Sequence, residues 1–242
     1  MTILAIIAAA LLPAIILWVY IWRKDPKPEP TAWLIKATLY GAGICLPVAL
    51  VEMAIGAVLF GDVGGVTSPD SLPGATLAAF IVAALPEEAF KLWALWRVLR
   101  KNPYFDEHFD GIVYAVCVGL GFAALENLLY LFGHTDEWES VALARALLAV
   151  PGHYAFAVLM GYYYSVWYFV ERSRKNLLLA FLVPFVGHGI YDAIAMSSTI
   201  SPIIGGVCFA GLVFFCVKMH KMAYKKVLAQ IQRDEEDPIV VA

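Results

Sequence analysis

Long apolar segments dominate the chain, and short polar segments separate them. Seven apolar segments are long enough to form membrane-spanning helices, because a span needs about 20 mostly apolar residues. The predicted helices cover residues 3–22, 33–60, 74–97, 109–133, 141–170, 177–198 and 202–219. The pattern therefore predicts an all-α, polytopic membrane protein that forms a single integral membrane domain over residues 1–242.

The charged residues between the helices predict their orientation. Arginine and lysine follow the first, third, fifth and seventh helices, whereas aspartate and glutamate follow the second and the fourth. Cytoplasmic loops of membrane proteins carry an excess of arginine and lysine. We therefore expect the N-terminus outside and the C-terminus in the cytoplasm. Residues 220–242 would form a cytoplasmic tail, with an amphipathic helix over residues 220–233 at the membrane surface.

The composition agrees with a membrane protein. Of the 242 residues, 62% are hydrophobic and 15% are charged, which excludes an ordinary soluble globular domain. The four cysteines lie in apolar segments and form no C-x-x-C pair, so we expect neither a thiolate zinc site nor a disulfide framework. The lipid bilayer is the expected partner of most of the surface, and no nucleic-acid partner is expected.

Three charged residues lie inside the third predicted helix, namely Glu87, Glu88 and Lys91. A charged side chain at the centre of a membrane helix costs roughly 2.5 to 3.5 kcal/mol, so such groups need a partner, a water-filled cavity or a function. A structural explanation also exists, because Glu87 and Lys91 have the i,i+4 spacing at which opposite charges neutralise each other. We interpret the three residues as functional.

Further polar residues lie inside three other predicted helices: Glu126 and Asn127 in the fourth, His153 in the fifth, and His188 and Asp192 in the sixth. At a rise of about 1.5 Å per residue, their depths below the outer helix ends overlap at roughly 10 to 20 Å. We therefore predict one cluster in the middle to outer half of the bilayer, open to the extracytoplasmic side.

Each of these residues also has a structural interpretation. A single membrane histidine such as His153 often only hydrogen-bonds a neighbouring helix. The His188 and Asp192 pair has the i,i+4 spacing of many structural pairs, and Asn127 is typical of residues that hold helices together. We expect three other intramembrane polar residues to be structural: Lys36, Glu52 and Arg145.

Carboxylates and imidazoles in one dry pocket are typical of hydrolysis. A buried carboxyl can take a proton from water, and an imidazole can stabilise an oxyanion or protonate a leaving amine. The same residues are also ligands for Zn²⁺, in which case the candidate ligands are Glu87, Glu126, His153 and His188. The spacing does not decide between the two. The sequence contains neither the H-E-x-x-H motif of zincins nor the G-x-S-x-G motif of serine hydrolases.

Five short motifs follow one another between residues 85 and 192. They read Pro86-Glu87-Glu88-x-x-Lys91, Phe109-Asp110-Gly111-x-x-Tyr114, Gly119-Leu120-Gly121-Phe122-Ala123-x-x-Glu126-Asn127, His153, and His188-Gly189-x-Tyr191-Asp192. In order, spacing and residue type this series resembles the PrsW family of intramembrane proteases. That family is similar to the CAAX prenyl endopeptidases and bacteriocin-processing proteins, whose pattern is E-E-x-x-x-R, F-x-x-x-H and H-x-x-x-N. Lys91, Glu126 and Asp192 depart from that wider pattern.

The resemblance implies a bacterial protease in the cytoplasmic (inner) membrane that cleaves a single-pass membrane protein. The best-known relatives make the first cut in a membrane-anchored anti-sigma factor, on its extracytoplasmic side. We predict Glu87 as the general base, with Glu88 and Lys91 setting its charge. The complete predicted site comprises Glu87, Glu88, Glu126, His153, His188 and Asp192, supported by Lys91 and Asn127.

Within that site we expect Glu126 and His153 to hold the water or complete a metal site, and His188 with Asp192 to stabilise the oxyanion. Two other classes of protein can use the same residues. A proton-coupled transporter or membrane sensor would use them as a relay, and a scaffold would use them only to hold its helices together. Transporters often contain repeated halves, and we find no internal repeat here.

Overall fold

The computed structural model describes residues 2–61 and 71–237, and within them the chain consists of helices and short connections. The helices are α1 (Thr2–Lys24), α2 (Thr31–Phe60), α3 (Leu72–Leu77), α4 (Leu85–Leu99), α5 (Asp110–Gly133), α6 (Trp138–Ala144), α7 (Val150–Ser165), α8 (Arg174–Ser197) and α9 (Pro202–Glu236), with π-helical segments at Ala78–Ala84, Arg145–Ala149 and Val166–Val170.

The π-helical segments join α3 to α4 and α6 to α7, so the described chain forms seven continuous helices. Six of them are long and apolar enough to cross a membrane. The remaining helix, which is the third along the chain and covers residues 72–99, carries Glu87, Glu88 and Lys91. The predicted all-α, polytopic fold is confirmed, while the orientation of the termini stays a prediction. Asp62 and Asp70, two of the acidic residues used for that prediction, lie outside the described residues.

The C-terminal segment differs from the expected surface helix. Residues 220–233 are the continuation of α9, which runs without interruption to Glu236. This part of the sequence contains no glycine or proline that would end the helix. Ala223 and Val227 are buried on its inner side, so α9 packs against the bundle over much of its length. The predicted tail beyond residue 237 lies outside the described residues.

Helix α5 is the centre of the bundle and packs against α1, α2, α4 and α7. Most of its residues are buried, as expected for a helix that is apolar on all sides. Glycines allow α2 and α5 to approach closely. A Cβ atom on Gly121 would lie 2.1 Å from the carbonyl oxygen of Thr38, and one on Gly41 would lie 1.9 Å from that of Val118. The two backbones are therefore in direct contact.

Two π-helical segments come immediately before a proline and a candidate site residue. Ala78–Ala84 precedes Pro86 and Glu87, and Arg145–Ala149 precedes Pro151 and His153. A proline cannot donate the usual helical hydrogen bond and clashes with the carbonyl group four residues earlier. The wider π-helical turn accommodates this defect without ending the helix, and such turns often occur at functional sites.

The Phe109-Asp110-Gly111-x-x-Tyr114 motif lies at the opposite end of α5 from Glu126, and its role there is structural. Asp110 Oδ2 accepts hydrogen bonds from the backbone N–H groups of Asp106 and Glu107 at 3.0 and 2.7 Å, which orders the connection before α5. Tyr114 hydrogen-bonds Glu29 in the connection between α1 and α2, where burial raises the pKa of Glu29 to about 7.

Helix α9 is fastened to the same end of the bundle. Asp234 accepts hydrogen bonds from the backbone N–H groups of His108 and Phe109 at 2.7 and 2.8 Å. It thereby satisfies donors at the start of α5 that have no partner within the helix. The side chain of Gln230 is fully buried and donates to the His108 carbonyl group at 3.3 Å.

The close approach of α2 and α5 predicts a position-specific effect of adding a methyl group. We expect Gly121→Ala to lower the free energy of unfolding by roughly 1 to 3 kcal/mol, because the new Cβ atom overlaps the backbone at Thr38. Gly43→Ala is the matched control, since nothing lies within 4 Å of its Cβ position. Thermal unfolding in detergent measures both variants. Equal midpoints for the two would contradict the packing described.

Candidate functional site

A cavity of about 1050 Å³ opens at the end of the bundle where α2, α5 and α8 end and α9 begins. Residues close to these helix ends, such as Gly133 and Ser198, line its mouth, and Phe122 and Phe156 lie among its inner walls. The ionisable side chains of its lining include Glu52, Glu87, Glu126, Arg145, His153, His188 and Asp192. The structure thus places an open polar chamber inside an apolar bundle.

The ammonium group of Lys91 holds the centre of this site together. It donates to Glu87 Oε2 and Glu88 Oε1, each at 2.8 Å, and lies 3.2 Å from His153 Nδ1. An ammonium group has three N–H donors, so these three acceptors satisfy it completely. Lys91 also lies 4.3 Å from the centre of the Phe122 ring, a distance at which a cation is attracted to the aromatic face.

The two adjacent glutamates have different surroundings. Glu87 lines the cavity, whereas Glu88 lies behind it with only 1% of its surface exposed. Glu88 Oε1 also accepts a hydrogen bond from His188 Nδ1 at 2.8 Å. Glu87 is therefore the carboxylate that a molecule in the cavity can reach, and Glu88 fixes the positions of Lys91 and His188.

His188 lies between two acidic groups. Its Nδ1 atom contacts Glu88, and its Nε2 atom lies 3.2 Å from Asp192 Oδ2 one turn later in α8. Phe156 stacks on the imidazole with ring centres 5.1 Å apart and an angle of 20° between the planes. This arrangement fixes the ring in one orientation.

His153 is held by a chain of buried charged groups. Its Nε2 atom donates to Glu126 Oε2 at 3.0 Å, and Glu126 in turn binds the guanidinium group of Arg145. With Nε2 protonated, the lone pair of a neutral imidazole is on Nδ1, which is the atom that faces Lys91. Arg145 also donates through Nε to Asn127, whose amide group donates to the Ala10 carbonyl group of α1.

All the sequence-predicted site residues lie in or beside this connected network. Their contacts differ, and Glu126 lines the cavity between His153 and Arg145, which neutralises it. Asn127 joins α5 to α1, in line with its structural interpretation.

Two residues that we expected to be structural also line the cavity. Arg145 forms an ion pair with Glu126 of α5. An arginine in an apolar segment needs such a carboxylate partner, so the pair agrees with a structural role for Arg145. Glu52 lines the same chamber from α2. Its isolation in an apolar segment was the signal that could have identified it.

Three side chains of the site could hold a metal ion. Glu87, His153 and His188 each offer a ligand atom, and these atoms lie within 4.8 Å of one another. Two imidazole nitrogens and one carboxylate oxygen form a donor set that suits a catalytic zinc ion, and the open cavity leaves room for a further ligand. The residues therefore fit a metal, although the ion would compete with the Lys91 ammonium group for Glu87 and His153. His188 would also have to exchange its contact with Glu88 or Asp192 for the ion.

Comparisons with known proteins found similar sequences along most of the chain. Residues 29–220 match the family described as PrsW family intramembrane metalloprotease. The chain is 38% identical to Protease PrsW of Oceanobacillus iheyensis, over 79% of this chain and 83% of that protein. It is 36% identical to Protease PrsW of Bacillus subtilis, over 78% of this chain and 82% of that protein. No solved structure matches the chain. The matched region contains the complete network.

The buried pair of Arg145 and Glu126 predicts a large loss of stability when one partner is removed. Their side chains are only 12% and 16% exposed, so Arg145→Met would leave an uncompensated carboxylate and lower the free energy of unfolding by about 3 kcal/mol. The double variant Arg145→Met, Glu126→Gln should recover most of that loss.

Lys27→Met is the control for this prediction. Lys27 pairs with Asp106 and Glu107, but its side chain is 67% exposed, so we expect a change of less than about 1 kcal/mol. Thermal unfolding in detergent distinguishes the variants. A single variant at Arg145 that is as stable as the Lys27 variant would show that the buried pair does not matter.

Proposed function

Because the chain belongs to the PrsW family of intramembrane metalloproteases, we propose that the cavity is its active site and hydrolyses a peptide bond in or next to a membrane segment of a single-pass substrate. The observation that supports this most strongly is the position of Glu87. Its carboxylate lines an open chamber inside the bundle and is held among Lys91, His153 and His188. Family membership also disfavours the transporter and scaffold alternatives.

Glu87 acts as the general base in the proposed mechanism. Its carboxylate takes a proton from a water molecule, and the water oxygen forms a bond to the carbonyl carbon of the scissile peptide. A base must lie within hydrogen-bonding reach of the proton that it takes, and of the two adjacent glutamates Glu87 is the one that lines the cavity. Lys91 holds the Glu87 carboxylate in place through an ion pair at 2.8 Å.

His188 and Asp192 stabilise the negative charge that develops on the carbonyl oxygen. A fixed N–H donor in a site with little water stabilises such a charge strongly. His188 lines the cavity, and Glu88 holds its Nδ1 side at 2.8 Å. The proposed donor is the Nε2–H group, which exchanges its 3.2 Å contact with Asp192 for the carbonyl oxygen as the negative charge develops. When the C–N bond breaks, the proton taken by Glu87 passes to the leaving amine, so the carboxylate is restored for the next cycle.

The candidate metal ligands are Glu87, His153 and His188. Zn²⁺ held by them would supply a Lewis acid that activates water and polarises a carbonyl oxygen. Glu126 and Arg145 orient His153 so that its Nδ1 lone pair faces the site, which is the usual role of a carboxylate behind a ligating histidine. Glu87 would then be a ligand instead of the base, so the metal content decides its role.

The proposed substrate is a membrane-anchored anti-sigma factor, cut first on its extracytoplasmic side in the bacterial inner membrane. The resemblance to the PrsW family supports this choice. The cavity also opens at the end of the bundle that lies opposite the basic connections, such as Arg97 to Lys101. By the charge rule that end faces outward, so the cavity and the proposed cut lie on the same side.

Removing the carboxylate of Glu87 tests the assignment. We expect Glu87→Gln to lower cleavage at least about 1000-fold, because the amide cannot accept the proton from water or serve as an anionic ligand. The measurement is cleavage of a single-span reporter that carries an anti-sigma membrane segment, with enzyme and reporter reconstituted in liposomes. Glu139→Gln, at an exposed position of α6, should cleave normally. Normal cleavage by the Glu87 variant would refute the mechanism.

Metal analysis of the purified protein tests the ligand set. If Glu87, His153 and His188 hold a metal ion, elemental mass spectrometry should find about one zinc ion per chain, and the double variant Glu87→Ala, His188→Ala should lose it. His220→Ala is the control, because His220 lies outside the cavity and contacts the Cys216 carbonyl group. If the wild type carried no metal and chelators did not affect its cleavage, Glu87 would act on water without a metal ion.

A further inference from the structure

Glu52 is an acidic residue of the cavity that has no assigned partner. Its Oε1 atom is buried and makes no hydrogen bond within the described part of the chain. The neighbouring carboxyl groups differ in this respect. Glu87 binds Lys91, Glu126 binds Arg145, and Asp192 contacts His188.

The surroundings of Glu52 offer it little compensation. The other cavity residues from α2 are apolar or weakly polar: Cys45, Val48, Ala49 and Met53. A buried polar group without a hydrogen bond costs free energy. A carboxyl group in an apolar wall is therefore expected to have a function, or to form a hydrogen bond with a molecule that binds in the cavity. The open cavity is the side from which that partner can come.

A substrate of an intramembrane protease brings the missing partners. A membrane helix satisfies its backbone N–H and C=O groups internally, and these groups lose their partners when the helix unwinds. The scissile bond must be exposed to react, so an unwound segment enters the cavity with unpaired backbone groups. The chamber therefore needs polar groups that are not committed to the catalytic network.

The position of Glu52 suits this role. It lies eight residues before the end of α2 at Phe60, a depth of about 12 Å. Glu126 lies seven residues before the end of α5 at Gly133, a depth of about 10 Å. Glu52 thus lies at the level of the network but on a different wall of the chamber, since Glu87, His153 and His188 come from α4, α7 and α8.

We propose that Glu52 is a substrate-binding residue that hydrogen-bonds the backbone amide groups of the unwound substrate segment. This inference rests on the proposed proteolytic function and adds a binding role on α2. Glu52 is not among the three side chains that could hold a metal ion, and the contacts of the catalytic network do not include it. Glu52 contributes to substrate binding and does not contact the reacting atoms of the scissile bond.

Two substitutions separate hydrogen bonding from packing. Glu52→Gln keeps a polar group of the same shape, whereas Glu52→Met keeps the length and removes the hydrogen bonds. We expect Glu52→Met to raise KM about 10-fold with a kcat within about 3-fold of the wild type, and Glu52→Gln to remain within about 3-fold in both. A purely structural role predicts a change in thermal stability with KM unchanged, and that result would overturn the proposal.

Capture of the substrate tests the same point without turnover. In the Glu87→Gln background, photo-crosslinking of the single-span reporter should be about 10-fold weaker when Glu52→Met is added and unchanged when Glu52→Gln is added. Equal capture by all three proteins would also overturn the role of Glu52. Normal cleavage by Glu87→Gln would instead overturn the proposed mechanism, so the two failures are distinguishable.

Changes in the reporter identify the group that Glu52 contacts, and they require only the Glu87→Gln background if Glu52→Met does not fold. Replacing single amides of the reporter by esters removes one N–H donor at a time. We expect one or two such positions to weaken capture by the Glu87→Gln protein about 5- to 10-fold. If every ester position left that capture unchanged, Glu52 would not bind the backbone N–H groups of the substrate.

Discussion

Burying charged side chains in the apolar interior of a membrane protein costs free energy, and the ion pairs of the Lys91 ammonium group offset much of that cost in this structure. It satisfies Glu87, Glu88 and His153 with its three N–H donors. Two carboxylates side by side would otherwise repel each other in an apolar interior. The ion pairs hold Glu87 at the edge of the cavity and Glu88 buried behind it. The chemistry of the site depends on this division.

The bundle holds that arrangement through close backbone contacts. Helix α5 carries Glu126 and packs directly on α2 at Gly121 and Gly41, so the α2 wall with Glu52 and the α5 wall with Glu126 have a fixed separation. The π-helical turns before Pro86 and Pro151 set the direction of Glu87 and His153 within otherwise continuous helices. The backbone features that look irregular are thus the ones next to the site.

The site contains more acid than base. The structure places five carboxyl groups in or beside the cavity, from Glu52, Glu87, Glu88, Glu126 and Asp192, together with the permanent cations Lys91 and Arg145. A divalent cation can reduce this excess. An uncharged substrate backbone contributes N–H donors. The cavity therefore suits a metal ion and an unwound peptide better than an anionic ligand.

The sequence by itself determined the helices and predicted most of the charged residues that the structure brings together. The length of the apolar segments predicts the membrane-spanning helices. Burying a charge inside such a segment costs so much free energy that Glu87, Glu88 and Lys91 are recognised as unusual from the sequence alone. The spacing along one helix also predicted the contact between His188 and Asp192. These features depend on local sequence, so a linear pattern contains them.

Only the tertiary structure decided which residues face each other across helices. It paired Arg145 with Glu126, left the Oε1 atom of Glu52 without a hydrogen bond among the described residues, and showed that Glu87 and not Glu88 lines the cavity. It also made the predicted tail helix a continuation of α9 that packs on the bundle. The rotation and depth of one helix relative to another depend on packing between distant segments, and a single sequence does not encode that packing in any periodic pattern.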